Sequence, residues 1–172
     1  MAIYIRLAQE SDLTQIMAII NEAKQLLKSD GIPQWQNGRP NEQILLDDIV
    51  KKRAYCLMVD QAVAGIAVLQ TSIEPSYAAI DGEWQNEIDQ YATIHRIAIS
   101  AKFRGQHLGQ IFISNLISRG LFLGISNFRI DTHAVNLRMQ ALIKSAGFKY
   151  RGVIRIDQTK DGLRNAFELN LV

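Results

Sequence analysis

Apolar and polar residues alternate over residues 3–7, and the spacing then changes so that Leu13, Ile16, Met17, Ile20, Ala23 and Leu27 share one face. That change of period predicts a strand followed by an amphipathic helix, with Ser11-Asp12 as its capping pair. Gly31-Ile32-Pro33 interrupts the pattern and leads into the polar loop Gln34-Trp35-Gln36-Asn37-Gly38, after which a second helix is expected over about 41–52. Two apolar runs, 54–59 and 62–71, flank Asp60-Gln61 and read as a hairpin. Residues 73–89 are polar, aromatic and irregular. Over 91–99 the alternation returns, which puts Tyr91, Thr93, His95, Ile97 and Ile99 on one face of a strand and Ala92, Ile94, Arg96 and Ala98 on the other.

From there strand and helix alternate. A turn over 100–108 opens a helix at 109–120, a strand follows at 128–132, and a helix over about 135–146 is stopped by Gly147. Strands at 150–156 and 167–172 close the chain around Asp161-Gly162. The sum is one α/β (α+β) domain over residues 1–172, a mixed sheet of about seven strands with helices on its faces. No repeat, linker or low-complexity segment marks a second domain.

Composition narrows the class. With 48% hydrophobic and 21% charged residues the 172-residue chain can bury one core. It has no apolar run of roughly 18 residues or more, the length a membrane-spanning helix needs. The start of the chain lacks a basic segment followed by an apolar one, so a cytoplasmic protein is expected. The single cysteine, Cys56, lies in an apolar run and reads as a core thiol; it leaves no disulfide framework and no cysteine-cluster metal site. The net charge of +2 conceals an asymmetry: residues 1–92 carry 7 Lys+Arg against 13 Asp+Glu, and residues 93–172 carry 12 against 4. A basic C-terminal half suits a polyanionic ligand, and an acidic N-terminal half suits a cationic one.

The segment that carries chemistry is the run from Tyr91 to Gln110, in which a strand feeds a short basic turn, Lys102-Phe103-Arg104-Gly105-Gln106-His107-Leu108-Gly109-Gln110, that opens a helix. Such a turn aims successive backbone N–H groups at one point, and the helix adds roughly half a positive charge there. Both favour a phosphate. A dinucleotide fold would need G-x-G-x-x-G and an acidic residue ~20 positions further on, and Asp131 stands near that distance. The glycine spacing does not match, because Gln106-His107-Leu108 separates Gly105 from Gly109 and no third glycine follows.

Arg104-Gly105-Gln106-His107-Leu108-Gly109 resembles the phosphate loop of the GNAT superfamily of N-acetyltransferases, Q/R-x-x-G-x-G/A. Asn136-Leu137-Arg138-Met139-Gln140-Ala141-Leu142-Ile143-Lys144-Ser145-Ala146-Gly147-Phe148 is similar to that family's N-x-x-A-x-x-L-Y-x-x-x-G-F. Two positions depart from the pattern: His107 replaces the usual middle glycine, and Ile143 replaces a tyrosine that many members use as a general acid. The resemblance implies a mostly antiparallel sheet with a splayed central parallel pair. It also implies acetyl-CoA as donor, with its pyrophosphate on the N–H groups of Gln106 to Gln110 beside Lys102, Phe103 and Arg104. Its pantetheine arm would lie along Ile97, Ala98 and Ile99, with Asn136, Met139, Ile143 and Lys144 on the adjoining helix.

Acetyl transfer to an amine needs a proton acceptor, because an alkylamine with a pKa near 10 is mostly charged at neutral pH. His95 is the first candidate for general base, Glu83 the second and His133 the third. Gln34, Trp35, Tyr77, Glu83 and Trp84 are the residues expected to recognise the acceptor, a primary amine of a small molecule or peptide. The acidic half of the chain favours a basic acceptor such as a polyamine. A non-catalytic acyl-CoA-binding sensor is the alternative that the two departures raise. No nucleic acid, membrane or metal is expected as a partner. A homodimer is expected from a C-terminal strand at a sheet edge.

Overall fold

The structure, a computed structural model, describes residues 1–171, so the last residue of the expected final strand, Val172, lies outside the described residues. Eight strands form one sheet, in the order β1-β2-β3-β5-β6-β8-β7-β4. They are β1 (Ile3–Leu7), β2 (Ala54–Val59), β3 (Ala62–Gln70), β4 (Asp81–Gly82), β5 (Tyr91–Ile99), β6 (Asn127–Thr132), β7 (Lys149–Arg155) and β8 (Leu163–Asn170). The helices are α1 (Leu13–Ser29), α2 (Glu42–Val50), α3 (Leu108–Phe122) and α4 (Leu137–Ser145). The one strand not expected from the sequence is β4, whose two residues pair with Val153 and Gly152 of β7. Two residues are too few to show a period, so no alternation could reveal it.

Two apolar layers sit on opposite faces of the sheet. Ile16, Ile19 and Ile20 of α1 and Leu45 and Ile49 of α2 pack on Cys56, Met58, Ile66 and Val68. On the other face Phe112, Ile113 and Leu116 of α3 and Ile143 of α4 pack on Leu57, Leu69, Ile94, Phe128, Ile130 and Phe167. Alternation along β2 and β3 decides which residue joins which layer, because successive side chains point to opposite faces. Cys56 is fully buried, and burial pushes its thiol up to about 12, which leaves it an inert core residue.

The helix starts differ in how they are held. Asn41 caps α2 by accepting a hydrogen bond from the Ile44 N–H at 3.0 Å. The expected Ser11-Asp12 cap of α1 does not form. Asp12 instead accepts from the Gln9 N–H at 2.8 Å and takes both guanidinium arms of Arg6 at 2.7 and 2.9 Å, which ties the turn before α1 to β1. Nor does the C-terminal strand lie at an edge. Strand β8 runs between β6 and β7, and the edges are β1 and β4, which removes the premise for a dimer through the last strand. No described helix is long and apolar enough to cross a membrane.

Close approach of α3 to the sheet depends on Gly120, where a Cβ would run into the ring of fully buried Phe128. Gly120→Ala is expected to destabilise the fold by about 1–3 kcal/mol through overpacking. A urea titration would read this as a lower midpoint at unchanged slope.

Candidate active site

Parallel strands β5 and β6 are paired only at Tyr91 with Asn127, Ala92 with Phe128 and Thr93 with Arg129. Past Thr93 they part: β5 continues against β3 to Ile99, and β6 continues against β8 to Thr132. The divergence coincides with a bulge in β5. His95 pairs with Val68 and Ala98 with Ile66, so three steps on β5 oppose two on β3. Arg96 absorbs the extra residue in the left-handed region, at φ 52°.

The bulge corrects the face assignment made from the sequence. Ile94, Ile97 and Ile99 all pack toward the α3 and α4 layer, whereas Ala98 joins the α1 and α2 layer, so His95 does not share a face with Ile97 and Ile99. One inserted residue reverses every later side chain, and uninterrupted alternation cannot show it. Arg96 is held there by Asp48 of α2, with Nη1 3.2 Å from Oδ2. Asp48 is wholly buried and also binds Arg53 Nε at 2.7 Å.

A cleft of about 950 Å³ opens where the strands part, lined by β5 from Ile94 to Ile99, the end of β6, one side of α1, the loop after α1, the first turns of α4 and the loop between β7 and β8. Of the residues expected to hold the donor, Ile97, Ala98, Ile99, Arg104, Gly109, Asn136 and Met139 line it. Gly105 and His107 both adopt left-handed backbone, at φ 79° and 56°. His107 thereby accepts the turn of the usual glycine despite its side chain, and it forms the N-cap of α3. The N–H groups of Leu108 and Gly109 begin that helix and have no acceptor within it. Gly109 also lets α3 approach α4, since a Cβ there would sit 3.0 Å from Leu142. Two left-handed residues on either side of Gln106, a helix N-terminus and Arg104 form a cradle whose sign and donors suit a diphosphate.

The other expected donor residues are placed differently. Leu108 is buried beneath the loop, Gln106 is exposed, and Gln110 donates from Nε2 to Ser145 Oγ at 3.2 Å, joining α3 to α4. Lys102 is exposed and Phe103 packs against the core. Ile143 is wholly buried in the α3 and α4 layer and Lys144 is exposed on the last turn of α4; neither lines the cleft. Asn136 caps α4, accepting from Met139 N–H at 3.2 Å, and donates from Nδ2 to Gln34 Oε1 at 3.1 Å.

Gln34 organises the acceptor side. Its Oε1 also accepts from Thr132 Oγ1 and the His133 N–H, at 3.2 and 3.3 Å, so the loop after α1 is pinned to the end of β6. Trp35 lines the cleft beside it. Tyr77 and Trp84 are buried beneath the cleft rather than in it: Trp84 Nε1 donates to the Tyr77 carbonyl at 3.0 Å, and Tyr77 Oη donates to Asp131 at 2.7 Å. Glu83 is exposed at the far edge, with its N–H on the Arg151 carbonyl at 3.2 Å, and His133 uses Nδ1 to accept from the Val135 N–H at 3.3 Å. Neither is brought to the cleft.

His95 is brought to it, with a partner that sequence reasoning missed. Its Nε2 lies 3.2 Å from Glu74 Oε2, and this contact holds the Glu74 carboxyl down at about 2. Glu74 itself is fixed by Ser76, whose hydroxyl donates at 2.9 Å. Asp131 faces the same cleft, and burial raises its carboxyl above the usual range. The half-chain charge asymmetry does not carry over to the site. Asp131, Asp157 and Asp161 of the basic half line the cleft, as does Arg39 of the acidic half. Glu74 fell in an irregular stretch, where no period assigns a direction to a side chain.

The arrangement has counterparts. Residues 20–148 match the model of the acetyltransferase (GNAT) family. A GNAT-family acetyltransferase from Streptococcus agalactiae is 35% identical with a TM-score of 0.89, the match covering 99% of this chain and 96% of that one. One from Listeria monocytogenes is 19% identical at TM-score 0.75, covering 98% and 95%. An aminoglycoside acetyltransferase, AAC(6')-Ib, in complex with coenzyme A is 20% identical at TM-score 0.68, covering 98% and 95%. No curated protein matches the sequence. The chain belongs to the GNAT family of acetyltransferases, enzymes whose acyl donor is acetyl-CoA.

His107 is the strained point of the loop, since left-handed backbone costs a non-glycine residue about 1–2 kcal/mol. A β-branched side chain tolerates it least. His107→Val is expected to raise the KM for acetyl-CoA about tenfold or more and to lower the thermal midpoint, whereas His107→Gly keeps stability within about 1 kcal/mol of the parent. Donor-saturation kinetics and a melting curve on both variants check this.

Proposed function

We propose that the protein transfers the acetyl group of acetyl-CoA directly to a primary amine of a small molecule or peptide, in a ternary complex without an acyl-enzyme. The observation that carries the reading is His95, paired with Glu74, in the cleft where β5 and β6 part. The amine nitrogen attacks the thioester carbonyl, the C–S bond breaks, and the CoA thiolate leaves. A thiol with a pKa near 8.5 departs with little protonation, so the loss of the family's tyrosine at Ile143 removes a modest aid.

The amine proton goes to His95. Glu74 Oε2 lies 3.2 Å from Nε2, and a neutral imidazole with its hydrogen on Nε2 would leave Nδ1 as the nitrogen that accepts. The charged imidazole is then stabilised by the carboxylate beside it. With the pantetheine arm along Ile97 to Ile99, an N–H of the bulge at Arg96 to Ala98 would face the thioester oxygen as it gains charge, and a fixed donor there lowers the barrier. Holding donor and amine in one cleft supplies much of the remainder. The cradle at Gly105 to Gly109 would hold the donor's diphosphate, and Ile97 to Ile99 offers backbone groups that β6 does not use.

A second reading, a non-catalytic acyl-CoA sensor, draws on Ile143, which fills the core and supplies no acid. Thiol release from acetyl-CoA in the presence of an amine panel separates the two. With an accepted amine, His95→Gln is expected to lower kcat by about 10²–10⁴-fold while donor binding is retained. Tight acetyl-CoA binding without thiol release for any amine would instead establish the sensor.

A further inference from the structure

Five arginines line the cleft, and their partners differ. Arg138 binds Asp30 at 3.0 Å, Arg164 donates to the carbonyls of Asp161 and Leu163 at 2.6 and 2.8 Å, and Arg104 belongs to the loop after β5. Arg39 and Arg96 remain. Neither side chain makes a hydrogen bond among the described residues, and Arg39 makes no ion pair there. A guanidinium carries five N–H donors and normally spends them, above all when it is largely buried.

Arg96 is the more telling of the two. Its side chain is only 25% exposed, and its one charged contact, Asp48, is already bound at closer range by Arg53. The buried Nη1 faces Asp48 Oδ2 out of hydrogen-bond alignment, so both atoms lack a partner. Burial disfavours the charge on Arg96, and Arg53 and Arg39 add to that against the pull of Asp48 and Glu74. Its backbone sits in the left-handed region, where glycine would be easier. Strain, burial and unspent donors meet at one residue on the wall of a substrate cleft, next in sequence to His95. The opposite sign stands close by: Glu74 and Asp131 line the same cleft.

We infer that Arg96 and Arg39 form a carboxylate-binding site in the acceptor cleft, and that the acceptor is a free amino acid or similar aminocarboxylate rather than a polycation. The carboxylate takes the donors that both guanidiniums have besides the buried Arg96 Nη1, and the amine lies toward His95, Glu74 and Asp131. The amine half of this assignment rests on the proposed acetyl transfer; the carboxylate half rests on the arginines alone. Charge-assisted hydrogen bonds to a carboxylate discriminate strongly against its uncharged amide, because the amide leaves the arginines unneutralised.

The test uses products, so that it does not depend on turnover. In the presence of CoA, binding of N-acetylglycine, N-acetyl-L-alanine, N-acetyl-L-methionine and N-acetyl-L-glutamate is measured by calorimetry against their primary amides and against N-acetylspermidine. At least one acid is expected to bind about tenfold or more tighter than its amide. Arg39→Gln, at an exposed position, and Arg96→Gly, which suits the left-handed backbone, are each expected to bring that ratio below about threefold. Acids and amides binding alike, no acid binding, or N-acetylspermidine binding best would overturn the assignment. If the acids bind selectively but no free amino acid releases thiol from acetyl-CoA, the carboxylate site stands and the transfer reaction falls.

Discussion

Two parallel strands that pair for three residues and then separate set the architecture of this protein. Hydrogen bonding between β5 and β6 ends at Thr93 and Arg129, yet both strands continue, each secured by its other neighbour. The backbone groups that would have closed the sheet therefore face a cleft. An apolar layer on each side keeps the halves from sliding back together: Phe128 and Ile130 hold β6 to α3, and Ile66 and Val68 hold β3 to α1 and α2. A close-packed interior resists such a rearrangement because it would open voids elsewhere.

The bulge at Arg96 is the local device that turns this split into a site. It reverses the side-chain parity of β5, so that Ile97 and Ile99 stay in the core while His95 reaches Glu74. It also consumes one residue of strand in the left-handed region, at Arg96, whose guanidinium lies 3.2 Å from the buried Asp48. The same carboxylate is shared with Arg53, so α2, β5 and the end of the α2–β2 connection depend on one another. A buried ion pair of this kind contributes little net stability but makes alternative registers costly.

Much of this was legible in the chain itself. The change from period two to period 3.6 located every long element, and the glycine-containing basic turn before α3 pointed to phosphate and to the GNAT family. Features that failed to show share a physical cause: they depend on contacts between segments distant in sequence. Asp12 does not cap α1, because Arg6 on the preceding strand and the Gln9 N–H take its oxygens. The partner of His95, Glu74, stands 21 positions upstream in the irregular stretch, just before the short 3-10 turn Pro75–Tyr77, where there is no periodicity. Tyr77 and Trp84, expected to meet the acceptor, lie beneath the cleft floor, where Arg129 stacks 4.0 Å from the Trp84 ring and 3.9 Å from that of Tyr91. Aromatic residues in an irregular stretch read equally as recognition surface or as core; here Tyr77 and Trp84 pack on each other and on Ile154 and Ala166 of the sheet.

The central claim is that the donor occupies the gap between β5 and β6 and meets its acceptor at His95. A crystal structure with acetyl-CoA tests this most directly. The account predicts the diphosphate on the N–H groups of Gly105 to Gly109, the pantetheine arm beside Ile97 to Ile99, and the thioester oxygen within hydrogen-bond distance of an N–H of the Arg96 to Ala98 bulge. A donor bound outside that gap, or one whose thioester lies away from the bulge and His95, would contradict it.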